Sequence, residues 1–204
     1  MKKIALLLIM ALASITAVAG TGDAAFSKAI AAYKAAKGIA VHYSMTGAMG
    51  SSSGQIVMQG NKFCITASNM ICWYNGKTQW SYSTMSNEVS IMEPTANELQ
   101  VVNPFAVVSN FQSAYTATLL KSSSASATVI QLKPKNARSA QFSEVVLTLN
   151  KSTNLPSKIM ATMKDKSKIT ITLSKYQTGA NFPASTFVYN KKFVPAGTQV
   201  VDLR

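Results

Sequence analysis

The sequence predicts a mainly β protein in which antiparallel strands form a meandering, strongly curved sheet, with one N-terminal helix and a short helical insertion. Three observations support this fold class. Apolar and polar residues alternate through most of the chain after residue 38, as in strands with one buried face. Turn signals separate the alternating runs at hairpin spacing. Only 13% of the residues are charged, so the polar surface must come largely from Ser, Thr, Asn and Gln, which suits sheet faces better than helices.

The first nineteen residues have the pattern of an export signal. Lys2 and Lys3 give a positive start, an apolar run too short to span a bilayer follows, and residues 17–19 (Ala-Val-Ala) form a small-residue cleavage site. No cysteine stands at that site for lipid attachment. We therefore predict a signal peptide over 1–19 and one exported, unanchored domain over 20–204. The alternative is an N-terminal helix that is not cleaved.

The first element of the exported part is predicted to be a helix over residues 23–37. Its segment is rich in alanine, and its large apolar side chains recur on one stripe at helical spacing. That stripe consists of Phe26, Ile30 and Tyr33. Asp23 suits the N-cap, and Gly38 is predicted to end the helix. The apolar stripe should pack against the elements that follow.

From residue 39 the pattern changes to the two-residue period of strands, with a loop or hairpin turn predicted over 47–54. The predicted strands lie at about 39–46, 55–59, 62–67, 70–74, 78–84, 87–92, 114–120, 127–133, 141–150, 157–164, 168–177 and 186–189. Asn75-Gly76 predicts a type I′ hairpin turn, because both residue types tolerate positive φ. Ser86-Asn87 is a weaker signal of the same kind.

Residues 94–112 interrupt the strands and predict two short helices. Thr95 and Glu98 have the spacing of a capping box. Pro104 suits the first turn of the second helix. Two groups of apolar residues each share a helical face: Leu99 with Val102, and Phe105 with Val108 and Phe111.

The residue types argue against several functional classes. The single histidine, His42, lies in a predicted strand, and the seven acidic residues lack the spacing of a metal site or a glycosidase pair. No phosphate-binding glycine loop or nucleophile elbow is present. We therefore expect no enzymatic activity, no metal and no cofactor.

The net charge is +13 for the whole chain and +11 without the two signal-peptide lysines. The lysines are scattered and there are only two arginines, the residue type that best reads phosphates and bases, so we expect no nucleic-acid partner. The charge fits general solubility or a weak attraction to anionic membrane surfaces.

Cys64 and Cys72 lie in consecutive predicted strands. A hairpin centred on Ser68 would place them opposite each other, with Phe63 facing Trp73 on the other side of the sheet. Because export leads to an oxidising compartment, a disulfide between them is predicted. The alternative is two separate thiols.

Residues 73–91 (WYNGKTQWSYSTMSNEVSI) resemble the strand–turn–strand segment of the LolA-like family of periplasmic outer-membrane lipoprotein carrier proteins. Asn75-Gly76-Lys77 corresponds to the family's turn, and Trp80 and Tyr82 to its Trp-x-Tyr strand. Upstream, residues 60–63 resemble a Pro-Asn-x-Phe segment. Downstream, Asn103-Pro104-Phe105 resembles the start of the family's helical lid. The order of elements agrees from residue 23 to the end.

The resemblance implies an unclosed antiparallel β-barrel, or half-barrel, with helices over an apolar cavity that receives the acyl chains of lipoproteins. It implies a monomeric periplasmic carrier with transient contacts to an inner-membrane release complex and an outer-membrane acceptor. The candidate cavity residues are Val41, Tyr43, Met45, Met58, Phe63, Ile65, Trp73, Trp80, Leu147 and Leu149. The candidate lid residues are Leu99, Val102, Phe105, Val108 and Phe111. Gln59 stands where many carriers have an arginine, which would imply a different release of cargo or a different cargo.

Three alternatives to a lipoprotein carrier stay open. The first is a carrier or sensor for other lipids or hydrophobic ligands. The second is a structural or interaction domain whose barrel is filled by side chains, in which Phe63, Trp73 and Trp80 are core residues. The third is a hydrolase whose catalytic groups are not recognisable.

Overall fold

The computed structural model describes residues 20–48, 50–95, 98–99, 114–138 and 140–204. One α-helix, α1 (Gly20–Ala35), precedes the strands. The strands are β1 (Gly38–Gly47), β2 (Gly50–Gln59), β3 (Lys62–Ala67), β4 (Met70–Tyr74), β5 (Gln79–Ser83), β6 (Glu88–Met92), β7 (Tyr115–Leu119), β8 (Ala127–Pro134), β9 (Phe142–Asn150), β10 (Pro156–Met163), β11 (Lys168–Thr178) and β12 (Gln199–Asp202). Two 3-10 helices lie before β12, at Ala184–Phe187 and Lys191–Phe193.

The strands form a single unclosed sheet in the order β12-β6-β5-β4-β3-β2-β1-β11-β10-β9-β8-β7. Every pairing is antiparallel except that of β12 with β6, which is parallel. The mainly β, unclosed architecture with one N-terminal helix is therefore confirmed. None of the helices in the described part of the chain is both long and apolar enough to cross a bilayer.

Both faces of the sheet carry a hydrophobic cluster. The larger cluster joins strands β1–β4 and β7–β11 to α1 through Phe26, Ala29 and Ile30. We call the face of the sheet that bears this cluster the inner face. The smaller cluster lies on the opposite, outer face, where the segment after β11 packs against β3–β6. Trp73 meets Tyr189 there edge-on at 5.6 Å between ring centroids.

The first turn of α1 is fastened to the free edge of β7. The backbone amide of Ala117 donates a hydrogen bond to Asp23 Oδ1 at 3.2 Å. A Cβ at Gly22 would lie 2.6 Å from the carbonyl carbon of Ala117 and closer still to its oxygen, so only glycine permits this approach. The prediction that Asp23 caps the helix is wrong: α1 begins at Gly20, and the carboxylate binds an edge amide of the sheet instead.

The C-terminal end of α1 also differs from the prediction. Lys37, not Gly38, takes the left-handed conformation that ends the helix, with φ 56°. Gly38 already belongs to β1, and a Cβ there would overlap the carbonyl oxygen of Ala180 and lie 2.9 Å from the ring of Phe182. Glycine is therefore required for close packing.

Three strand predictions need correction. The loop or hairpin turn predicted over 47–54 is shorter than predicted, because β1 ends at Gly47, β2 starts at Gly50, and the two strands pair as a hairpin. The strand predicted at 186–189 is absent: residues 186 and 187 end a 3-10 helix, Ala184–Phe187, and residues 188 and 189 follow it without regular structure. The edge strand β12 was not predicted, and it pairs in parallel with a strand more than a hundred residues earlier.

The turn at Asn75-Gly76 lies where predicted but has a different geometry. Gly76 has φ 102°, whereas Asn75 has no positive φ. The Asn75 side chain accepts hydrogen bonds from the amides of Lys77 and Thr78 at 3.0 and 2.9 Å. The connection is thus a four-residue loop held by an asparagine side chain rather than a two-residue type I′ turn.

The capping box at the start of the helical insertion is confirmed. The amide of Thr95 donates to Glu98 Oε2 at 2.7 Å, and the amide of Glu98 donates to Thr95 Oγ1 at 3.4 Å. The bond from the Thr95 amide, together with one from the Thr95 hydroxyl to Glu98 Oε2 at 2.8 Å, holds the pKa of the Glu98 carboxyl below its ordinary value. Most of the insertion, including Pro104, lies outside the described residues, as does the predicted signal peptide.

Candidate functional site

The inner face brings together eight of the ten predicted cavity residues. Val41, Met58, Phe63, Ile65, Leu147 and Leu149 are buried in the larger cluster, and Tyr43 and Met45 pack against it partly exposed. One row of directly opposed residues crosses β8, β9, β10, β11 and β1. That row is Ile130, Leu147, Ile159, Ile171 and Met45. The inner face of these strands is therefore continuously apolar.

Trp73 and Trp80 are not on this face, and placing them in the cavity was wrong. They oppose each other across β4 and β5 and belong to the cluster on the outer face, where the C-terminal segment covers them. The cause is the register of the β3–β4 hairpin, which pairs Phe63 with Tyr74 instead of Trp73. A shift of one residue moves every side chain of β4 to the other face.

The same register separates the two cysteines. Cys64 opposes Trp73 on the outer face, Cys72 opposes Ile65 on the inner face, and both thiols are free. The predicted disulfide is therefore wrong. Burial raises the pKa of Cys64 to about 12, with a smaller contribution from Cys72, and raises the pKa of Cys72 to about 11.

Two cavities flank α1, one at each end. Near its C-terminal end a cavity of about 270 Å³ is lined by Tyr33, Lys34, Lys37, Ile39, Met58, Gly60 and Asn61. Near its N-terminal end a cavity of about 310 Å³ is lined by Asp23, Phe26, Ser27, Tyr115, Thr116 and Lys135. The Tyr33 hydroxyl donates to the Gly60 carbonyl at 3.2 Å, and burial raises the pKa of this hydroxyl. Apolar and charged side chains line both cavities, with two lysines in the first and one lysine and one aspartate in the second.

The inner face changes from apolar to polar between β4 and β6. Two rows of opposed residues cross it from β1 to β6. The first row is Ile39, Met58, Phe63, Tyr74, Gln79 and Met92; the second is Val41, Ile56, Ile65, Cys72, Ser81 and Ser90. We call the part of the inner face formed by Gln79, Ser81, Ser83, Glu88 and Ser90 the polar end. Sequence reasoning missed these residues, although Gln79, Ser81 and Ser83 alternate visibly with Trp80 and Tyr82.

Gln59, the residue at the position of the family arginine, does not face α1. It adjoins the inward-facing Met58 and therefore points to the outer face. Its Nε2 donates to Asn181 Oδ1 at 2.9 Å, and its Oε1 accepts from the amide of Phe182 at 2.7 Å. Gln59 thus fastens the segment after β11 to the sheet.

Of the predicted lid residues, only Leu99 can be placed. It packs, partly buried, against the larger cluster on the inner face. Val102, Phe105, Val108 and Phe111 lie outside the described residues.

The histidine and the possible metal ligands of the described ranges can be placed in the fold. His42 is exposed on β1. No group of three or more His, Cys, Asp or Glu side chains that could hold a metal occurs among the residues that the structure describes.

The comparisons with known proteins agree with the architecture. The sequence model of a family described as "Outer membrane lipoprotein carrier protein LolA" matches residues 19–167. An uncharacterized conserved protein from Thermus thermophilus has the same fold, with a TM-score of 0.58 at 9% identity over 88% of this chain and 97% of that one. A search of curated protein sequences found no match.

Two further solved structures are similar at lower scores. A putative outer membrane lipoprotein-sorting protein domain from Vibrio parahaemolyticus gives a TM-score of 0.47 at 12% identity over 86% of this chain and 98% of that one. A LolA superfamily protein from Nitrosomonas europaea gives 0.44 at 13% identity over 82% and 97%.

Proposed function

Because this chain belongs to the LolA family of outer membrane lipoprotein carrier proteins, we propose that it is a periplasmic carrier without enzymatic activity. In this proposal it binds the acyl chains of lipoproteins on the inner face of its sheet and moves them from the inner to the outer membrane. It acts as a monomer and meets an inner-membrane release complex and an outer-membrane acceptor only transiently. The export signal predicted over residues 1–19 supports the location.

The observation that carries the proposal is the way α1 covers the apolar inner face. Six of the sixteen residues of α1 are alanine, and Phe26 and Ile30 are its large, fully apolar side chains in the cluster. The cavities at its two ends, of about 270 and 310 Å³, lie at the lower limit of ligand sites. Movement of α1 away from the sheet would join them into one groove lined by the larger cluster.

The energetics fit a reversible exchange of helix for ligand. Shielding a sixteen-carbon chain from water is worth on the order of 10 kcal/mol, at roughly 0.8 kcal/mol per methylene. Displacing α1 exposes the inner face and the helix stripe, and the arriving chain covers that same face again. The polar contacts of α1 with the sheet include the bond from the Ala117 amide to Asp23 and the bond from the Tyr33 hydroxyl to Gly60. A helix held in this way can leave the sheet without unfolding it.

The direct test is the release of lipoproteins from membranes. Inner-membrane vesicles that carry radiolabelled lipoprotein are incubated with the purified protein and ATP, and soluble label is separated by size-exclusion chromatography. We expect label to elute with the protein as a one-to-one complex. Absence of such a complex, with vesicles that do release label to an authentic carrier, contradicts the proposal.

A matched pair of variants shows whether the inner face holds the chain. Met58→Gln places a polar group at the floor of the 270 Å³ cavity, where Met58 is 1% exposed. Met85→Gln makes the same change at a side chain that is 90% exposed. Met58→Gln should lower the yield of complex several-fold at an unchanged circular dichroism spectrum, and Met85→Gln should match the wild type.

The vesicle assay, combined with binding of a fluorescent fatty acid to the same variants, distinguishes the second candidate, which is a carrier of other lipids. The small volume of the two cavities favours this candidate for ligands with a single chain. If a fluorescent fatty acid binds to the wild type and binds less tightly to Met58→Gln, while lipoprotein stays in the vesicles, the cargo is a free lipid. A protein that binds neither has a filled structural core.

A further inference from the structure

Gln79 is a buried polar side chain at the boundary between the apolar and polar parts of the inner face. It is 4% exposed, and Thr78 and Gln79 are the two buried polar residues in the part of the chain that the structure describes. Gln79 lies on the inner face of β5, directly between Tyr74 of β4 and Met92 of β6. It marks the boundary where the apolar rows of the inner face meet the polar end.

The nitrogen of the Gln79 amide is engaged by its neighbours. Nε2 donates to Ser81 Oγ at 3.0 Å and contacts Met92 Sδ at 3.8 Å. The Ser81 hydroxyl in turn donates to Cys72 Sγ at 3.6 Å. A hydroxyl has one proton to donate, and the Ser81 hydroxyl donates it to the thiol. Its oxygen therefore accepts from Gln79, so the amide nitrogen of Gln79, and not the amide oxygen, must point toward Ser81.

The oxygen of the same amide has no donor. Gln79 Oε1 accepts no hydrogen bond from the residues that the structure describes. A buried acceptor without a donor loses its hydration and gains nothing in return, so such atoms are rare in folded proteins and require an explanation. The half-buried hydroxyls of Ser81 and Ser90 continue from it toward the edge of the sheet.

The position of this acceptor indicates which part of a ligand reaches it. An acyl chain lying along the apolar rows from β1 to β4 ends at β5, where its carbonyl linkage begins. An amide linkage carries an N–H that can donate to Gln79 Oε1, whereas an ester linkage has only acceptors. An ester would therefore leave Gln79 Oε1 without a donor and add a second acceptor beside it.

We propose that the polar end is a subsite for the linkage group of the cargo, in which Gln79 Oε1 accepts a hydrogen bond from the amide N–H of an N-acyl group. Gln79 then makes the carrier prefer chains attached through an amide over chains attached through an ester. This inference rests on the proposed carrier function and adds the chemical class of the ligand.

The test compares two probes that differ by one atom. N-palmitoyl-alanine methyl ester and O-palmitoyl-lactic acid methyl ester have the same chain and shape, with N–H in the first replaced by O in the second. Binding is measured by displacement of a fluorescent fatty acid from the wild type, from Gln79→Leu and Gln79→Met, and from the control Gln177→Leu at an exposed position of β11.

We expect the wild type and Gln177→Leu to bind the amide probe roughly tenfold more tightly than the ester probe. In Gln79→Leu and Gln79→Met the ratio should fall to about one, because the acceptor is gone. General destabilisation by the substitution would weaken both probes alike and leave the ratio unchanged, which would overturn the assignment.

Equal binding of both probes to the wild type also overturns the inference but leaves the carrier function standing. This result is expected if a buried water, and not the ligand, donates the hydrogen bond to Gln79 Oε1. If neither probe binds the wild type while the fluorescent fatty acid does, the linkage subsite is wrong. If no acyl compound binds at all, the carrier function fails and this subsite fails with it.

Discussion

Gly22→Ala tests whether α1 is held to the sheet by a contact that only glycine permits. An added Cβ would lie 2.6 Å from the carbonyl carbon of Ala117 and 2.8 Å from the Cα of Thr118, both backbone atoms of β7 that cannot swing aside. The helix start must therefore move outward. That movement also lengthens the bond from the Ala117 amide to Asp23 Oδ1, now 3.2 Å.

The expected effect of Gly22→Ala on stability is opposite to that of an ordinary Gly→Ala substitution in a helix. Within a helix, alanine is ordinarily more stabilising than glycine by about 1 kcal/mol. Overpacking costs about 1–3 kcal/mol, and lengthening the hydrogen bond to the carboxylate loses only part of the roughly 1.5–3 kcal/mol that such a bond contributes. The net loss in the free energy of unfolding is about 2 kcal/mol, which lowers the melting temperature of a domain of this size by about 4–8 °C.

Thermal unfolding followed by circular dichroism measures this loss. Ala31→Gly, at an exposed position of the same helix, measures the helix-propensity term separately and should cost about 1 kcal/mol. The carrier proposal adds a second readout: if α1 must leave for ligand to enter, Gly22→Ala should bind an acyl probe more tightly, by up to roughly 30-fold. An unchanged or higher melting temperature would refute the close contact, and a lower one with unchanged affinity would refute the role of α1 as the cover.

Three further predictions concern the outer face and the thiols. Gln59→Leu removes both hydrogen bonds to the segment after β11, at a stability cost of about 1–3 kcal/mol. In hydrogen-exchange mass spectrometry the Phe182 amide should therefore exchange with solvent at least roughly tenfold faster than in the wild type. Exchange as slow as in the wild type would mean that other contacts hold the segment. The pKa values of Cys64 and Cys72 in the fold, about 12 and 11, exceed their ordinary 9.0, so the thiols' contribution to stability is complete below pH 9 and is lost as the pH rises from 9 toward 12. Chemical denaturation over this pH range should show that the free energy of unfolding falls more steeply in the wild type than in the double alanine variant. Parallel curves would contradict the burial of the thiols. Both tryptophans lie on the outer face, so saturation with a non-fluorescent fatty acid should leave the tryptophan emission maximum unchanged, and a blue shift would place the ligand on the wrong side of the sheet.

The strands were predictable from sequence because most of them have one face that is more buried than the other. β1 shows this most clearly, since Tyr43 and Met45 are half-buried between exposed His42, Ser44 and Thr46. The period of two depends only on that difference between the faces. Eight of the ten proposed cavity residues were accordingly placed on one face.

The register of the β3–β4 hairpin could not be read in the same way. Phe63, Cys64 and Ile65 are consecutive and all buried, because α1's cluster lies on one side and the C-terminal segment on the other. When both faces of a hairpin are apolar, a shift of one residue in the pairing moves no polar group into the core. The alternation of residue types therefore does not determine the register. Trp80 of β5 was assigned to the cavity side for the same reason.

The remaining misses come from contacts between distant parts of the chain. β12 pairs with β6 across more than a hundred residues, and the 3-10 helix at Ala184–Phe187 is fixed by the burial of Phe187 against the outer face. No local pattern encodes either contact. Gln79 resembles an ordinary surface residue in the sequence, and its importance appears only with its burial and its unpaired oxygen.

The most direct test of the central claim is a map of where an acyl chain lies on the protein. Palmitic acid carrying a diazirine in its chain is bound to the protein, and the complex is photolysed. The labelled peptides are then located by tandem mass spectrometry. The account predicts labels on Phe26 and Tyr33 of α1 and on the inner-face residues Ile39 and Met58, and none on Trp73, Trp80 or Phe187. Labels concentrated on the outer-face cluster, or spread evenly over the surface, would contradict it.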